Sequence, residues 1–335
     1  ADAPHSTNQL VVKHAKTCCL KTPTRTKVAV GQTGPIFASL LITSQALGCP
    51  QVTQEIVLHA GVKRVDFNNR VLKDSTPLLE LYIAFPFKAE DPSFTLEGSN
   101  SVIRPFEDQF PGSNTNYYSV QHWANVADGD ASITLAPIDA HLVEFGGMHP
   151  FHTSPAHRNV EPKDFKNGFV DPDTVTKGHM YSFIAATNFC TNFTPAQQGD
   201  LLFRYSLTSG KGDWTTGAPR DFGWATGNPL MPVMVHLHTE GDRPIVDSFC
   251  RIDQPNVLLT SLKHADDGDG LILRLTETTG QATDAAVQLP FVDIASAVAT
   301  DLVERNAGPA VSTAHSVTVP MKPFGIATIR LRTSD

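Results

Sequence analysis

Residues 106–147 read FEDQFPGSNTNYYSVQHWANVADGDASITLAPIDAHLVEFGG, and this stretch decides the fold class. Its first part, 107–114, is rich in acids, amides and turn-forming residues, which predicts a loop that presents polar side chains. Between Tyr118 and Val126 the side chains alternate with a period of two, which predicts a β-strand with one face on a core. Residues 133–136 and 142–145 are predicted as two further strands. The stretch therefore predicts a polar loop mounted on a sheet.

Several side chains of this stretch suit a carbohydrate site, because carboxylates and amides bind sugar hydroxyls and an aromatic ring packs against a sugar face. They are Asp108, Gln109, Gln121, His122, Trp123 and Asp139. The structural alternative is that the two aspartates hold turns through backbone hydrogen bonds and that Trp123 fills a core. The residue types leave both interpretations open.

The composition of the whole chain is that of an all-β protein. Its 335 residues can form one large β domain or two smaller ones with a substantial core. Charged residues make up 18% of the chain, and its 23 glycines and 24 prolines favour many turns. The net charge of -8, without a run of like charges, argues against nucleic acid or an anionic membrane as the partner.

Short strands are predicted on both sides of the opening stretch. Residues 36–42, 52–59, 62–67 and 78–85 are rich in β-branched and aromatic residues, and we expect them to form one antiparallel meander. Another series of short strands runs to the C-terminus and predicts a small β-sandwich. Within it, residues 266–270 are acidic but lack the ligand spacing of a calcium loop, so we predict a hairpin turn there.

The cysteines and the N-terminus bear on localisation. Five cysteines form an odd set without Cys-x-x-Cys spacing, which predicts reduced thiols. No apolar run approaches the roughly 20 residues that span a bilayer, and the chain opens on polar sequence without a signal segment. We therefore expect a soluble protein, with the cytoplasm favoured.

Two loop tryptophans and a polar strand end complete the candidate binding residues. Trp214 and Trp224 lie in a glycine-rich stretch, where they either stack on a sugar or pack beneath the loop. Thr191 and Asn192 follow a predicted strand, and we place them near the same cleft as Asp108.

Histidine groups raise the question of a metal site. They are His149, His152 and His157 in a proline-rich stretch, and His236 and His238 on one predicted strand face. Neither group is joined by a further ligand at a convincing spacing, so we predict exposed histidines and no metal in this segment.

The motifs DQFPGS (108–113), WANV (123–126) and DAHLV (139–143) resemble the C-terminal region of family 38 glycoside hydrolases, the α-mannosidase-like enzymes. Further matching motifs, in the same order and from about residue 30 to the end, are RVDFNNR (64–70), YIAFPF (82–87), GDLLFRYS (199–206), DGDGLILRL (267–275) and KPFGIATIRL (322–331). One segment departs from the family pattern, Asn-Asn-x-Trp-x-Thr-Asn-Phe. Here Ala186 and Thr187 replace the paired amides and Phe189 replaces the tryptophan, which puts sugar contacts by this segment in doubt.

The resemblance implies a large galactose-mutarotase-like β-supersandwich followed by a small C-terminal β-sandwich. We assign residues 1–30 to an N-terminal arm or edge strand, 31–252 to the large sandwich and 253–335 to the small one. In the family, the nucleophilic aspartate and the zinc ligands, which include a His-x-Asp pair, belong to an N-terminal catalytic α/β barrel. We therefore expect no catalytic residue and no cofactor in this segment, and zinc in the barrel.

The leading hypothesis is a non-catalytic C-terminal region of an α-mannosidase-like glycosidase. Its expected partners are the catalytic barrel of the same polypeptide and a mannose-containing glycan or glycoside. A free-standing carbohydrate-binding module is the first alternative, because the loops carry tryptophans and amides. The second is a mutarotase-like enzyme, in which His122 with Glu107 or Glu144 transfers protons.

Overall fold

The computed structural model describes residues 4–149, 165–166, 169–188, 194–234 and 244–334. In chain order the strands are β1 (Gln9–His14), β2 (Leu20–Lys21), β3 (Thr24–Thr33), β4 (Phe37–Ala46), β5 (Cys49–His59), β6 (Val65–Lys73), β7 (Leu79–Pro86), β8 (Ser93–Gly98), β9 (Ser101–Ile103), β10 (Tyr118–Ser119), β11 (Ala124–Asp128), β12 (Ala131–Pro137), β13 (Leu142–Phe145), β14 (Phe165–Lys166), β15 (Phe169–Val170), β16 (His179–Ala186), β17 (Gly199–Lys211), β18 (Arg251–Ile252), β19 (Val257–His264), β20 (Leu271–Glu277), β21 (Thr283–Gln288), β22 (Ile294–Thr300), β23 (Asn306–Pro309), β24 (Val311–Ser312), β25 (Ser316–Met321) and β26 (Ile326–Thr333). The α-helix α1 (Ala218–Gly227) follows β17. The predicted all-β fold class is confirmed.

Contacts between Cα atoms divide the chain into two compact units. The first comprises Ala1–Gly98 and Ile103–Pro229, and the second comprises Ser99–Val102 and Leu230–Asp335. Among the described residues, no helix is both long enough and apolar enough to cross a membrane.

The first unit is a sandwich of two antiparallel sheets. The smaller has the strand order β10-β13-β16-β7-β1-β2, and the larger has the order β3-β4-β5-β6-β17-β12-β11-β8-β9. Their inner faces share one core, in which Phe85 of the smaller sheet packs on Phe67 and Tyr205 of the larger, at ring-centroid distances of 5.9 and 5.1 Å. The hydroxyl of Tyr205 also donates to Oγ of Ser182 across the two sheets, at 2.8 Å. Aromatic packing and one buried hydrogen bond thus join the layers.

The predicted four-strand meander is wrong in its last strand. β4, β5 and β6 are consecutive neighbours in the larger sheet, but β7 lies in the smaller sheet between β16 and β1. Its sequence lacks polar alternation, and every residue from Leu79 to Phe85 is buried. A strand covered on both faces fits the middle of a sheet, whereas a meander edge would need one polar face.

β1 lies within the segment predicted as an arm or edge strand. It pairs with β7 along its whole length and with β2 at Val12 and Lys13. Leu10, Val11 and Val12 are fully buried. The short apolar run of this otherwise polar segment therefore contributes to the core.

The opening stretch forms most of the elements predicted for it. β12 and β13 confirm the strands predicted at 133–136 and 142–145. The single strand predicted between Tyr118 and Val126 is instead two, β10 and β11, which lie in different sheets. Between β10 and β11 the chain crosses from the smaller sheet to the larger one. The alternating sequence pattern from Tyr118 to Val126 therefore spans two strands in different layers.

The second unit is a small sandwich of two sheets, with strand orders β18-β21-β25-β24 and β19-β20-β26-β22-β23. Its core includes Leu273, Leu275, Val287, Val317 and Leu331, all fully buried. The predicted small C-terminal sandwich is confirmed. So is the predicted turn at 266–270, which joins β19 to β20 and is closed by a bond from the Ala265 N–H to the Gly270 carbonyl, at 2.9 Å.

One buried carboxylate organises the loops at one end of this sandwich. Glu277, 1% exposed, ends β20. Its two oxygens accept hydrogen bonds from Asn256 Nδ2 (2.9 Å), Thr279 N (2.7 Å), Thr279 Oγ1 (2.7 Å), Gly280 N (2.8 Å), Gln281 N (3.2 Å) and Phe324 N (2.8 Å). These donors come from three chain segments, so Glu277 fixes the loops relative to one another.

Candidate functional site

The polar loop after β9 is held in shape by the side chains predicted to bind sugar. The Asp108 carboxylate accepts a two-pronged pair of bonds from the Arg104 guanidinium, at 2.7 and 3.1 Å, and another from the Arg104 N–H at 2.8 Å. Hydrogen bonding from Arg104 holds the pKa of Asp108 below its ordinary value. Asp108 is therefore an ionised brace of the loop.

Gln109 has a similar role inside the same loop. Its carbonyl oxygen accepts from the Phe106 N–H at 3.0 Å and the Tyr118 hydroxyl at 2.7 Å, and its amide donates to the Asn114 carbonyl at 3.0 Å. The neighbouring Phe110 is 89% exposed. The loop thus uses its amide and carboxylate internally and displays an aromatic ring, a feature that sequence reasoning missed because an exposed phenylalanine has no distinctive pattern.

Asp139 is paired on the larger sheet, where β12 meets β17. It forms a two-pronged ion pair with Arg204, with both nitrogen-to-oxygen distances at 2.9 Å, and also accepts from the Arg204 N–H. Hydrogen bonding from Arg204 lowers the pKa of Asp139. Both carboxylate oxygens of Asp139 therefore accept hydrogen bonds within the protein, as expected of an aspartate with a structural role.

Three side chains from separate elements meet at the end of β8. Glu97 of β8 accepts from the Trp224 indole N–H at 2.8 Å through one oxygen and lies 3.0 Å from Nδ1 of His122 through the other. The rings of His122 and Trp224 lie 4.2 Å apart between centroids, tilted by 33°. His122 and Trp224 were both predicted site residues, whereas Glu97 was not, because an isolated glutamate in a strand carries no local signal.

This Glu97 cluster, Glu97 with His122 and Trp224, has a defined chemistry. In the tautomer of His122 that donates from Nδ1 to the Glu97 carboxyl group, Nε2 carries a lone pair. The side chains of His122 and Glu97 are 20% and 13% exposed, so the group is sheltered but reaches the surface. Such an arrangement can accept a hydrogen bond from a hydroxyl beside an aromatic surface. The exposed Gln121 precedes His122 in the chain, and its backbone N–H donates to the backbone carbonyl of Glu97 at 2.8 Å.

Helix α1 closes over this cluster because two of its residues are glycines. A Cβ atom on Gly223 would lie 2.8 Å from Cβ of Trp123, and one on Gly227 would lie 2.9 Å from Cδ2 of His122. Trp123 itself is only 1% exposed, so it fills the space beneath the helix and offers no ring face to a ligand. The glycines permit the close approach that brings Trp224 to Glu97.

The other predicted binding residues stand apart or lie outside the described ranges. Trp214 is half-buried and begins a short 3-10 helix, Trp214–Thr216, whose first turn is capped by Asp213. Thr191 and Asn192 fall outside the described residues, as do the histidines at positions 152, 157, 236 and 238. His149 is described, and burial lowers its pKa.

The acid partners predicted for His122 are wrong. Glu107 pairs with Arg104 at 3.0 Å, and Glu144 is buried in the smaller sheet, where it accepts from the His149 N–H at 2.5 Å. Both therefore have other partners, and Glu97 takes the predicted position. The reason is topological, since β8 lies beside β11 in the larger sheet while Glu144 belongs to the other layer.

No group of three or more His, Cys, Asp or Glu residues within the described ranges has a geometry that could hold a metal ion. One tripeptide of the His-x-Asp form does occur, at His264–Asp266. There Asp266 forms an ion pair with Lys263, which also forms an ion pair with Glu304. This tripeptide belongs to the end of β19 and its turn.

Comparison with known proteins supports the family resemblance. Residues 256–329 match the family described as glycosyl hydrolases family 38 C-terminal β sandwich domain. An α-mannosidase from Enterococcus faecalis V583 aligns with a TM-score of 0.69 and 14% identity, over 97% of this chain and 38% of that chain. A glycosyl hydrolase family 38 protein from Enterococcus faecalis aligns with a TM-score of 0.68 and 13% identity, over 97% of this chain and 40% of that chain.

At these identities the structural alignments show a shared fold, and the chain spans about two fifths of the length of the two proteins. No curated protein matches the sequence. The resemblance predicted from the motifs is nevertheless confirmed, because residues 256–329 match the family 38 C-terminal β-sandwich domain and the chain shares the fold of the two Enterococcus faecalis proteins.

Proposed function

We propose that this chain is the accessory C-terminal region of an α-mannosidase-type glycosidase, where it stabilises a catalytic barrel and contributes loops to a carbohydrate cleft. The observation that carries the proposal is the alignment of 97% of the chain with 38% of an α-mannosidase from Enterococcus faecalis V583, together with the family match at residues 256–329. A protein of that length has room for a separate catalytic domain, to which the bond-breaking chemistry is assigned.

In a retaining glycosidase, a carboxylate attacks the anomeric carbon and an acid protonates the leaving oxygen, and zinc in the barrel would hold sugar hydroxyls. Asp108 and Asp139 do not suit the acid role, because their arginine partners hold both pKa values low and a general acid must be protonated near neutral pH. Their part in the function is to fix loops and strands.

The loop after β9 is the proposed contributor to the cleft. Arg104 and Gln109 hold its backbone, and the ring of Phe110 projects from it. A rigid loop that displays an aromatic ring can pack on the apolar face of a sugar at little entropic cost.

Kinetics of the complete enzyme test this assignment. The reading frame that contains this chain should encode a protein that hydrolyses an aryl α-mannoside. Phe110→Ala should raise KM about fivefold, corresponding to roughly 1 kcal/mol of lost aromatic packing. Val311→Ala, a change at an exposed residue of the second unit, is the control and should leave KM unchanged. An unchanged KM in a folded Phe110→Ala enzyme would remove the loop from the cleft.

A second candidate function is carbohydrate binding by this chain without a barrel, and the Glu97 cluster favours it. His122 and Trp224 place a hydrogen-bonding nitrogen beside an aromatic ring. Titration calorimetry with mannose oligosaccharides should then give measurable heat, which Trp224→Phe reduces because that variant loses the indole bond to Glu97. Absence of heat at millimolar sugar counts against independent binding.

A further inference from the structure

The larger sheet of the first unit extends beyond the core at the end formed by β3, β4 and β5. Cross-strand partners show this directly, because Val30 pairs with Leu40, Leu40 with Ile56 and Ile56 with Phe67. Partners opposite one another in antiparallel strands share a sheet face. Phe67 is a buried core residue, so the whole row lies on the inner face.

Burial falls steadily along this row towards the sheet edge. Phe67 is 4% exposed, Ile56 is partly buried against the core, Leu40 is 45% exposed and Val30 is 68% exposed. The side chains of Val28 and Leu58 lie on the same face and are 64% and 60% exposed. We name Val28, Val30, Leu40 and Leu58 the overhang face.

The overhang face is uncharged as well as apolar. The partner rows on this face are Val28-Ile42-Gln54-Asn69, Val30-Leu40-Ile56-Phe67 and Ala38-Leu58-Val65, and they contain no charged residue. β3 is the end strand of the sheet, and all ten of its residues are exposed. A long edge strand with an apolar face is a liability for a protein surface unless another surface covers it.

We infer that the overhang face docks the remaining part of an α-mannosidase-type polypeptide, an inference that rests on the proposed function. The lengths of the two Enterococcus faecalis chains support this occupant, since this chain covers only 40% and 38% of them. The apolar, uncharged character of the overhang face supports it too, because permanent interfaces are more hydrophobic than transient ones and need no charged groups for steering. The surface of the occupant that covers the overhang face is therefore apolar, and it extends the core of the first unit.

A second copy of the chain fits the same strand less well. Lys27 lies on β3, directly before Val28, and Arg25 lies two residues earlier. Antiparallel pairing of two β3 edges about Val28 would bring the two Lys27 side chains, which lie on the strand face opposite the overhang face, onto neighbouring positions. Like charges on neighbouring strands oppose such pairing, a device by which edge strands avoid self-association.

Adjacent lysine substitutions on opposite faces of β3 test the inference. Val30→Lys charges the overhang face, whereas Ala29→Lys charges the other face of the same exposed strand and serves as the matched control. Both variants are made in this chain alone and in the product of the complete reading frame. The measurements are the thermal midpoint and the hydrogen exchange of the β3 amides.

The inference predicts that Val30→Lys lowers the midpoint of the complete protein by at least about 3 °C, while Ala29→Lys does not. In this chain alone both variants should unfold like the parent, since both positions are exposed. The β3 amides should exchange more slowly in the complete protein than in the chain alone. Equal midpoints for the two variants of the complete protein would overturn the inference.

Two other results overturn it for different reasons. A dimer of this chain that Val30→Lys dissociates, with the complete protein unaffected, would assign the face to a second copy. A complete protein that hydrolyses no mannoside would remove the proposed function and this inference together. Hydrolysis by the complete parent, with equal effects of the two lysines, would remove the docking inference alone.

Discussion

Glu277 shows how a single buried residue stabilises the small sandwich. Burial opposes its ionisation, but hydrogen bonds from Thr279, Phe324 and Asn256 outweigh burial and hold the pKa of Glu277 below its ordinary value. Glu277→Gln turns one acceptor into a donor that faces N–H groups, so we expect a loss of roughly 3 kcal/mol in the free energy of unfolding. Urea denaturation measures this loss.

Glu107→Gln is the control for this change, because Glu107 forms an exposed ion pair that should contribute at most about 1 kcal/mol.

The contribution of Glu277 to stability depends on pH with a definite sign. A lowered pKa in the folded state means that the contribution of Glu277 is complete above its unfolded pKa, about 4.3, and is lost as pH falls through the folded value. Parallel stability profiles of the parent and Glu277→Gln between pH 6 and 3 would contradict this account.

Glu144 presents the opposite case on the outer face of the smaller sheet. Burial raises its pKa well above the ordinary value, and the neighbouring Glu80 acts in the same direction while Lys13 opposes it. Lys13 is committed to Glu80 at 2.9 Å, and the Tyr82 hydroxyl donates to Glu80 at 3.2 Å. Two buried carboxylates thus share one lysine, so the protonated form of Glu144 is favoured.

Because the pKa of Glu144 is raised in the folded state, its contribution to the free energy of unfolding is largest below its unfolded pKa. That contribution decreases as pH rises towards the pKa of Glu144 in the folded state. Glu144→Gln cannot ionise and should still accept from the His149 N–H. The stability of this variant relative to the parent should therefore increase between pH 5 and pH 8 in urea denaturation. A constant difference across that range would show that Glu144 is already ionised in the folded protein.

At the scale of elements, the contact between α1 and the β8 to β11 region depends on glycine. Gly223→Ala adds a Cβ atom 2.8 Å from Trp123, and this clash should outweigh the gain of about 1 kcal/mol in helix propensity. We expect lower stability and loss of the Trp224 bond to Glu97, reported by a shift in tryptophan fluorescence. Ala225→Gly, at an exposed position of the same helix, should cost about 1 kcal/mol without that shift.

The strands show which parts of the fold a sequence alone can predict. Runs such as β12, β13 and β20 have strand length and clear composition, so local pattern was sufficient for them. The assignment of β7 and β10 to the smaller sheet depends on which layer each strand joins, and period-two patterns contain no such information. The sheet exchange between β10 and β11 was hidden for the same reason.

The candidate site was predictable to a similar degree. His122 and Trp224 were chosen for their chemistry and do meet, but their common partner Glu97 lies 25 residues from His122 and 127 from Trp224. Asp108 and Asp139 were also chosen for their chemistry, yet Asp108 is held by Arg104, four residues earlier, and Asp139 by Arg204, which is 65 residues away in the sequence. Residue type suggests what a side chain can do, whereas tertiary pairing decides whether it is available.

At the scale of the whole molecule, the chain forms two sandwiches, each with its own hydrophobic core. The first unit displays an aromatic loop, a sheltered Glu97 cluster and an apolar sheet edge, and the second is fixed by the Glu277 hydrogen bonds. Residues 256–329 match the family 38 C-terminal β-sandwich domain, and the chain shares its fold with an α-mannosidase from Enterococcus faecalis V583 of which it covers 38%. Under the proposed function, the catalytic chemistry belongs to another part of the polypeptide.

The most direct test of the central claim is the hydrolysis of an aryl α-mannoside by three proteins: the complete product of the reading frame, that product without this chain, and this chain alone. The accessory account predicts activity in the complete protein, no activity in this chain, and a product without the chain that is inactive or unfolds at a markedly lower temperature. Full activity and unchanged stability after removal of the chain, or hydrolysis by the chain alone, would contradict the account.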